Sequence, residues 1–204
     1  MKLYYSPYSP YVRKVLVAAH EVGLADKIEN VACAAHPVTR DQNIITHNPL
    51  GQVPTLLLDD GTMLADSRVI CEYLDDLAGG SLFPRSGAAR WRVLVDQTIG
   101  DGILTAALLS RYEVAARPPE KLWQDWLDGQ MDKVDTAISS IEAAVPTLGD
   151  RVDIGTISFG CAFGYLDLRF PDFGWRDRHP KSADWYARFG ARPSMVATQH
   201  PGPV

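Results

Sequence analysis

Apolar positions in residues 1–78 alternate between short β-type runs and a helical period. Lys2–Tyr5 reads as a strand. Over residues 10–23, Val12, Val15, Leu16 and Ala19 fall at i, i+3, i+4 and i+7, the spacing of an amphipathic helix, and a glycine ends the run. Residues 28–32 form a second strand. Strand, helix and strand within about 30 residues make a βαβ unit with a parallel pair. Residues 55–58 and Met63–Leu64 flank Asp60-Gly61, which predicts a hairpin closed by a type I′ turn. A helix follows from Ser67, with Val69, Ile70, Tyr73, Leu74 and Leu77 on one face.

Beyond Gly79-Gly80-Ser81 the pattern is helical only. Trp91, Leu94, Val95, Thr98, Ile99 and Gly102 recur at 3–4 spacing and predict the buried stripe of one helix. Trp123, Leu127, Met131, Val134, Ile138 and Ile141 predict a second, and residues 154–170 and 182–189 two more. At this spacing Trp91, Trp123, Trp126 and Tyr165 read as core. The expected fold class is therefore α/β plus all-α: an α/β domain over residues 1–78, then a helical-bundle domain over residues 86–204. A glycine hinge and a proline-bearing linker join them. Residues 199–204, with Pro201 and Pro203, are expected to be loosely ordered.

Composition narrows the function. The 204 residues are 46% hydrophobic and 22% charged, as in ordinary globular proteins. Lys and Arg number 20 against 25 Asp and Glu, a net charge of −5, which argues against nucleic acid or an anionic membrane as partner. With no apolar run near the ~20 residues of a membrane span and no charged-then-apolar leader, a cytoplasmic protein is expected. Cys33, Cys71 and Cys161 are odd in number and far apart, which suits a reducing compartment. Cys71 and Cys161 lie in apolar helical stretches and are expected to be inert. No C-x-x-C occurs, the five histidines lack metal-ligand spacing, and no phosphate-binding glycine motif is present.

Three segments could carry chemistry. In S-P-Y-V-R-K (residues 9–14), Pro10 suits the first helical position and Ser9 its N-cap. That hydroxyl also sits where a parallel strand meets a helix, at the positive end of a helix dipole. In N-P-L-G-Q-V-P (residues 48–54), Val53 precedes a proline and is driven to an extended conformation, with its backbone polar groups open on one edge. In L-A-D-S-R-V-I-C-E-Y-L (residues 64–74), Asp66-Ser67 either caps a helix or holds a ligand carboxylate and ammonium at that helix's start.

Taken together, these motifs closely resemble the cytosolic glutathione transferases. G-C-A-F-G-Y-L-D-L-R (residues 160–169) and R-P-S-M (residues 192–195) extend the resemblance to the helical half. The resemblance implies a thioredoxin-like first domain with a cis proline at Pro54, a helical second domain and a homodimer. It implies glutathione as the co-substrate, no metal, and a small hydrophobic electrophile as the second substrate. By position, Ser9 matches the residue that hydrogen-bonds the glutathione sulfur. Val53 matches the residue whose backbone pairs with the cysteinyl moiety, and Gln52, Asp66 and Ser67 match positions holding the γ-glutamyl end. Tyr4, Tyr5, Tyr8 and Tyr11 compete with Ser9, since some classes use an N-terminal tyrosine.

Two features depart from relatives. Serine stands where some carry cysteine, which disfavours thiol reduction through a mixed disulfide. A helix start usually written Ser/Thr with Asp three residues on reads Asp153-Ile154-Gly155-Thr156 here, and the cap is expected to survive the exchange. Three activities fit: glutathione conjugation, glutathione-dependent isomerisation or dehalogenation, and glutathione binding without turnover. The second-domain pocket, to which residues 104–112 are expected to contribute, decides among them.

Overall fold

A computed structural model describes residues 1–202. The expected loose order at Pro203 lies outside the described residues. Four short strands, β1 (Lys2–Tyr5), β2 (Glu29–Ala32), β3 (Thr55–Leu57) and β4 (Met63–Leu64), form one sheet in the order β2-β1-β3-β4. β1 and β2 run parallel, Lys2 opposite Glu29. β3 is antiparallel to β1, with Tyr4 opposite Thr55, and to β4, with Leu56 opposite Leu64. This register gathers the end of β1, the start of β3 and the end of β4 along one edge.

The helix α1 (Pro10–Glu21) crosses over between β1 and β2, α2 (Gln42–Ile45) is a single turn, and α3 (Ser67–Leu77) follows the hairpin. Leu3 and Leu56 of the sheet are buried with Val12 and Val15 of α1 and Ile70 and Leu74 of α3. The β3–β4 turn is not the expected type I′. Gly61 has φ of +86°, but Asp60 stays at negative φ. The Gly61 N–H donates to the Leu58 carbonyl and the Leu58 N–H to the Thr62 carbonyl, a longer loop that needs one left-handed residue instead of two.

Gly79 and Gly80 both take positive φ after α3. The segment beyond them is pinned rather than loose. The buried Asp75 carboxylate accepts the backbone N–H groups of Ser81, Leu82 and Phe83 at 2.7–3.0 Å.

From Gly87 onward the described residues are helical: α4 (Gly87–Ala115), α5 (Gln124–Leu148), α6 (Ile154–Arg169), α7 (Trp175–Arg178), α8 (Pro180–Gly190) and α9 (Pro193–Ala197). Helix α6 is buried from Ile154 through Leu166 and forms the centre of this half. The expected Asp153 cap is present as a capping box: the Thr156 N–H donates to Asp153 Oδ1 at 3.0 Å, and the Asp153 N–H donates to Thr156 Oγ1 at 3.0 Å.

The face assigned to α4 is corrected. Its buried side is Val93, Gln97, Gly100, Leu104 and Ala107, whereas Trp91 is 66% and Val95 57% exposed. Helix α4 is apolar on two sides, and small residues chose which one packs. A Cβ at Gly100 would lie 2.7 Å from Ser158 Cβ, so only glycine lets α6 approach this closely. Trp123 is likewise exposed as the residue before α5, Trp126 is half-buried, and Tyr165 alone of the four aromatics expected in the core is fully buried. By length and composition α4 is apolar enough to cross a membrane, although no such run was expected. Its mid-helix Asp101 is held by Lys14 of α1 instead.

Two further contacts tie the halves together. Arg192, just before α9, pairs with Glu21 at 2.9 Å, and the buried Arg13 donates to the Met195 carbonyl at 3.1 Å.

Candidate functional site

The shared sheet edge brings the three motifs together. From the end of β1 the chain turns through residues 6–8 to Ser9, which caps α1 and accepts the Val12 N–H on Oγ at 3.3 Å. A hydroxyl that accepts at a cap still has its own O–H to donate. Capping and ligand binding are therefore compatible at Ser9. The residue is half-exposed and also borders a cavity of about 250 Å³ with Ser6, Arg13 and His20, closed by residues 197–199. Gln52, Val53, Asp66 and Ser67 do not line that cavity.

Beside the end of β1, the Val53–Pro54 bond is cis. Neither backbone polar group of Val53 is hydrogen-bonded among the described residues. Gln52 is exposed. Its carbonyl accepts the Thr55 hydroxyl at 2.7 Å and the Asn48 amide at 3.4 Å. Asn48 opens the 48–54 motif, but the sequence reading assigned it no role of its own. It is buried, also donates to Thr55 Oγ1 at 2.8 Å, and accepts the Leu50 N–H at 3.0 Å, so it fixes the whole loop. Arg40 braces the same loop by donating to the Pro49 carbonyl at 2.6 Å.

On the third side, the Ala65–Asp66 bond is cis and Asp66 caps α3. Its carboxylate accepts the Arg68 N–H at 2.9 Å and is gripped by the Arg68 guanidinium at 2.9 and 3.2 Å. Burial pushes this carboxyl up, but the Arg68 contacts outweigh it and its pKa lies below the ordinary value. Ser67 is buried as the first residue of α3, and its hydroxyl makes no hydrogen bond among the described residues.

Of the competing tyrosines, Tyr5 borders the same cavity as Ser9, and the other three have contacts of their own. Tyr11 hydrogen-bonds Thr105 Oγ1 at 2.8 Å, and burial pushes its pKa up to about 12. Tyr4 packs against His47, and Tyr8 lies under the Arg169 guanidinium, 5.0 Å from ring centroid to Cζ. Cys71 and Cys161 are buried, with pKa values pushed up by burial to about 12 and about 11, as inert thiols should be. Among the described residues no group of three or more His, Cys, Asp or Glu side chains is arranged to hold a metal ion.

Family models for the N-terminal and C-terminal domains of glutathione S-transferase match residues 8–77 and 124–188. The chain is 32% identical to the GST-like protein YibF of Escherichia coli K12 over 98% of its own length and 99% of that protein. It belongs to the glutathione S-transferase family. A crystal structure of a glutathione transferase family member from Pseudomonas fluorescens Pf-5 with bound glutathione is 48% identical over 98% of both chains, with a TM-score of 0.96. A second, with bound S-(propanoic acid)-glutathione, covers 98% of this chain and 100% of its own at a TM-score of 0.91. In this family setting the mixed sheet is the thioredoxin-like layer and the helices from Gly87 onward form the second, all-helical layer.

Arg169, the last residue of α6, lies over Tyr8; it falls in the 160–169 motif, but sequence reasoning did not single it out. The visible signal was an arginine in the last turn of a helix that is otherwise mostly buried and apolar.

Proposed function

We propose that this protein is a glutathione transferase that joins the thiolate of reduced glutathione to a small hydrophobic electrophile. Residues 1–78 bind the tripeptide, and residues 86–204 supply the electrophile side. The observation that carries the reading is the unpaired backbone of Val53 set between two helix starts. A peptide can pair with Val53 as an added strand, while its anionic ends meet the N-termini of α1 and α3. Ser67 and Gln52 hold the γ-glutamyl carboxylate, and the Asp66 carboxylate, half-exposed despite Arg68, meets the ammonium group.

Ser9 is the catalytic residue of this reading. A thiol of pKa about 8.5 is only a few per cent thiolate at about pH 7. Lowering it by about two units takes ~2.7 kcal/mol of preference for the anion. A hydroxyl donating to a charged acceptor contributes ~1.5–3 kcal/mol and a helix N-terminus ~0.3–1 kcal/mol. The two together suffice without a general base. The thiolate sulfur then forms a bond to the electrophilic carbon. The displaced electron pair leaves with a leaving group, or goes onto the acceptor and takes a proton from water.

The same reading makes the protein a cytoplasmic, detoxifying homodimer. Val69 and Leu77 on α3 and Trp91 and Val95 on α4 are 47–66% exposed, and an Arg90–Glu72 ion pair at 2.7 Å joins their two surfaces. So much apolar surface in one patch favours self-association.

Ultraviolet difference spectroscopy of bound glutathione, comparing the protein with Ser9→Ala, tests the assignment. Thiolate absorbance is expected at about pH 7 in the wild type, with roughly four- to twenty-fivefold less thiolate in the variant. Equal absorbance in both would remove Ser9 from the role. Binding without thiolate formation or turnover would favour a glutathione-binding protein.

A further inference from the structure

Arg111 lies one turn before the end of α4, and Arg169 is the final residue of α6. Both are half-buried, and among the described residues neither makes an ion pair or a side-chain hydrogen bond. The Arg169 Nε is fully buried with no partner, while its guanidinium lies over the Tyr8 ring at 5.0 Å. Tyr8 adjoins Ser9. The acids nearest in sequence are already committed. Glu113 pairs with Arg117 at 2.6 Å, and Asp167 pairs with Arg176 at 2.7 Å and accepts from Trp175 Nε1 at 3.0 Å.

Burial and the neighbouring charge of Arg111 push the Arg169 pKa down. Both arginines also act on the buried Tyr165, whose pKa burial raises to about 12. A half-buried cation whose Nε has no partner and which feels a second cation, with no acid beside it, weakens the fold unless an anion joins it. Stacking on Tyr8 occupies the face of the Arg169 guanidinium but leaves its in-plane N–H groups available, and those are the groups that grip a carboxylate.

We propose that Arg111 and Arg169 form a carboxylate-binding subsite for the second substrate, so that the electrophile is a small molecule with an apolar body and one carboxylate. This rests on the glutathione-transferase reading and deepens it. Arg169 stacks on Tyr8, the chain neighbour of Ser9, which sets the carboxylate toward the sulfur end of the site. Tyr8 borders the apolar body.

The test is calorimetric binding of three compounds to the whole protein: glutathione, S-(2-carboxyethyl)glutathione and its uncharged amide, S-(2-carbamoylethyl)glutathione. The wild type is expected to bind the carboxylate at least about tenfold more tightly than the amide, the scale of a charge-assisted hydrogen bond. Arg111→Gln and Arg169→Gln should each remove most of that preference and leave glutathione affinity within about twofold. Arg111→Lys and Arg169→Lys, which keep the charge, should retain part of it and serve if a glutamine variant fails to fold. Equal binding of carboxylate and amide by the wild type overturns the subsite with the glutathione site intact, as does a preference that persists in the double glutamine variant. Failure to bind glutathione at all overturns the underlying reading, and this inference with it.

Discussion

Lys14 of α1 donates to both carboxylate oxygens of Asp101 in α4, at 2.6 and 2.8 Å, and its own side chain is wholly shielded from solvent. This pair joins the sheet half to the helical half directly beneath Tyr11, whose ring lies 5.9 Å from the ammonium. Removing one partner strands a buried charge. Asp101→Leu is expected to cost ~3–5 kcal/mol, whereas replacing both partners, with Lys14→Met as the second change, should restore most of the loss. Urea unfolding of both variants checks this. A single-variant loss below about 1 kcal/mol would show that the pair contributes little.

Glu21 at the end of α1 supplies a pH dependence. Burial pushes its carboxyl up, but hydrogen bonds from Arg192 and Ser194 outweigh burial, and the pKa falls below its ordinary 4.5. A carboxyl with a lowered folded-state pKa stabilises the fold above its unfolded value, and that stability is lost as pH falls. The melting temperature of the wild type should therefore drop as pH falls below about 4.5, and Glu21→Gln should flatten that part of the curve without changing its slope near about pH 7. Superimposable curves would remove Glu21 from the acid transition.

The capping box at the start of α6 gives a local prediction. Asp153→Ala removes an acceptor for the Thr156 N–H and a partner of Arg151 Nε at 2.8 Å. A loss of roughly 0.5–2 kcal/mol is expected, read as a lower denaturation midpoint at unchanged slope. An unchanged midpoint would mean that water replaces the cap at no cost.

The exposed apolar face of α3 and α4 predicts a homodimer. Sedimentation equilibrium should give twice the chain mass for the wild type and the chain mass for Trp91→Glu, with the variant still folded by circular dichroism. A monomeric wild type would leave the face without this occupant.

Much of the fold was legible because it is locally encoded. Lys2–Tyr5 and Met63–Leu64 are the strands the pattern predicts, and Pro10 and Ser67 start the helices that their caps predict. The turn after Leu58 differed because Asp-Gly fits more than one hairpin loop, and loop length is settled by strand pairing. The α4 face differed for a related reason. A helix apolar on two sides satisfies the same periodicity on either one, and only its neighbours decide which is buried. Residue 199 onward was expected to be loose, yet His200 hydrogen-bonds the Pro7 carbonyl at 2.8 Å, and burial lowers its pKa to about 4. No short-range signal announces a contact across 193 residues.

The sequence by itself determined the two textures of the chain, the caps at Ser9, Asp66 and Asp153, and the open peptide edge at Val53. Each depends on backbone conformations that neighbouring residues impose. The tertiary structure alone decided that Tyr11 belongs to Thr105 and that Arg169 lies over Tyr8 without an acid partner. These are long-range relations, fixed by how α1, α4 and α6 pack. The charge set over Tyr8 comes from a residue that no sequence window holds beside it.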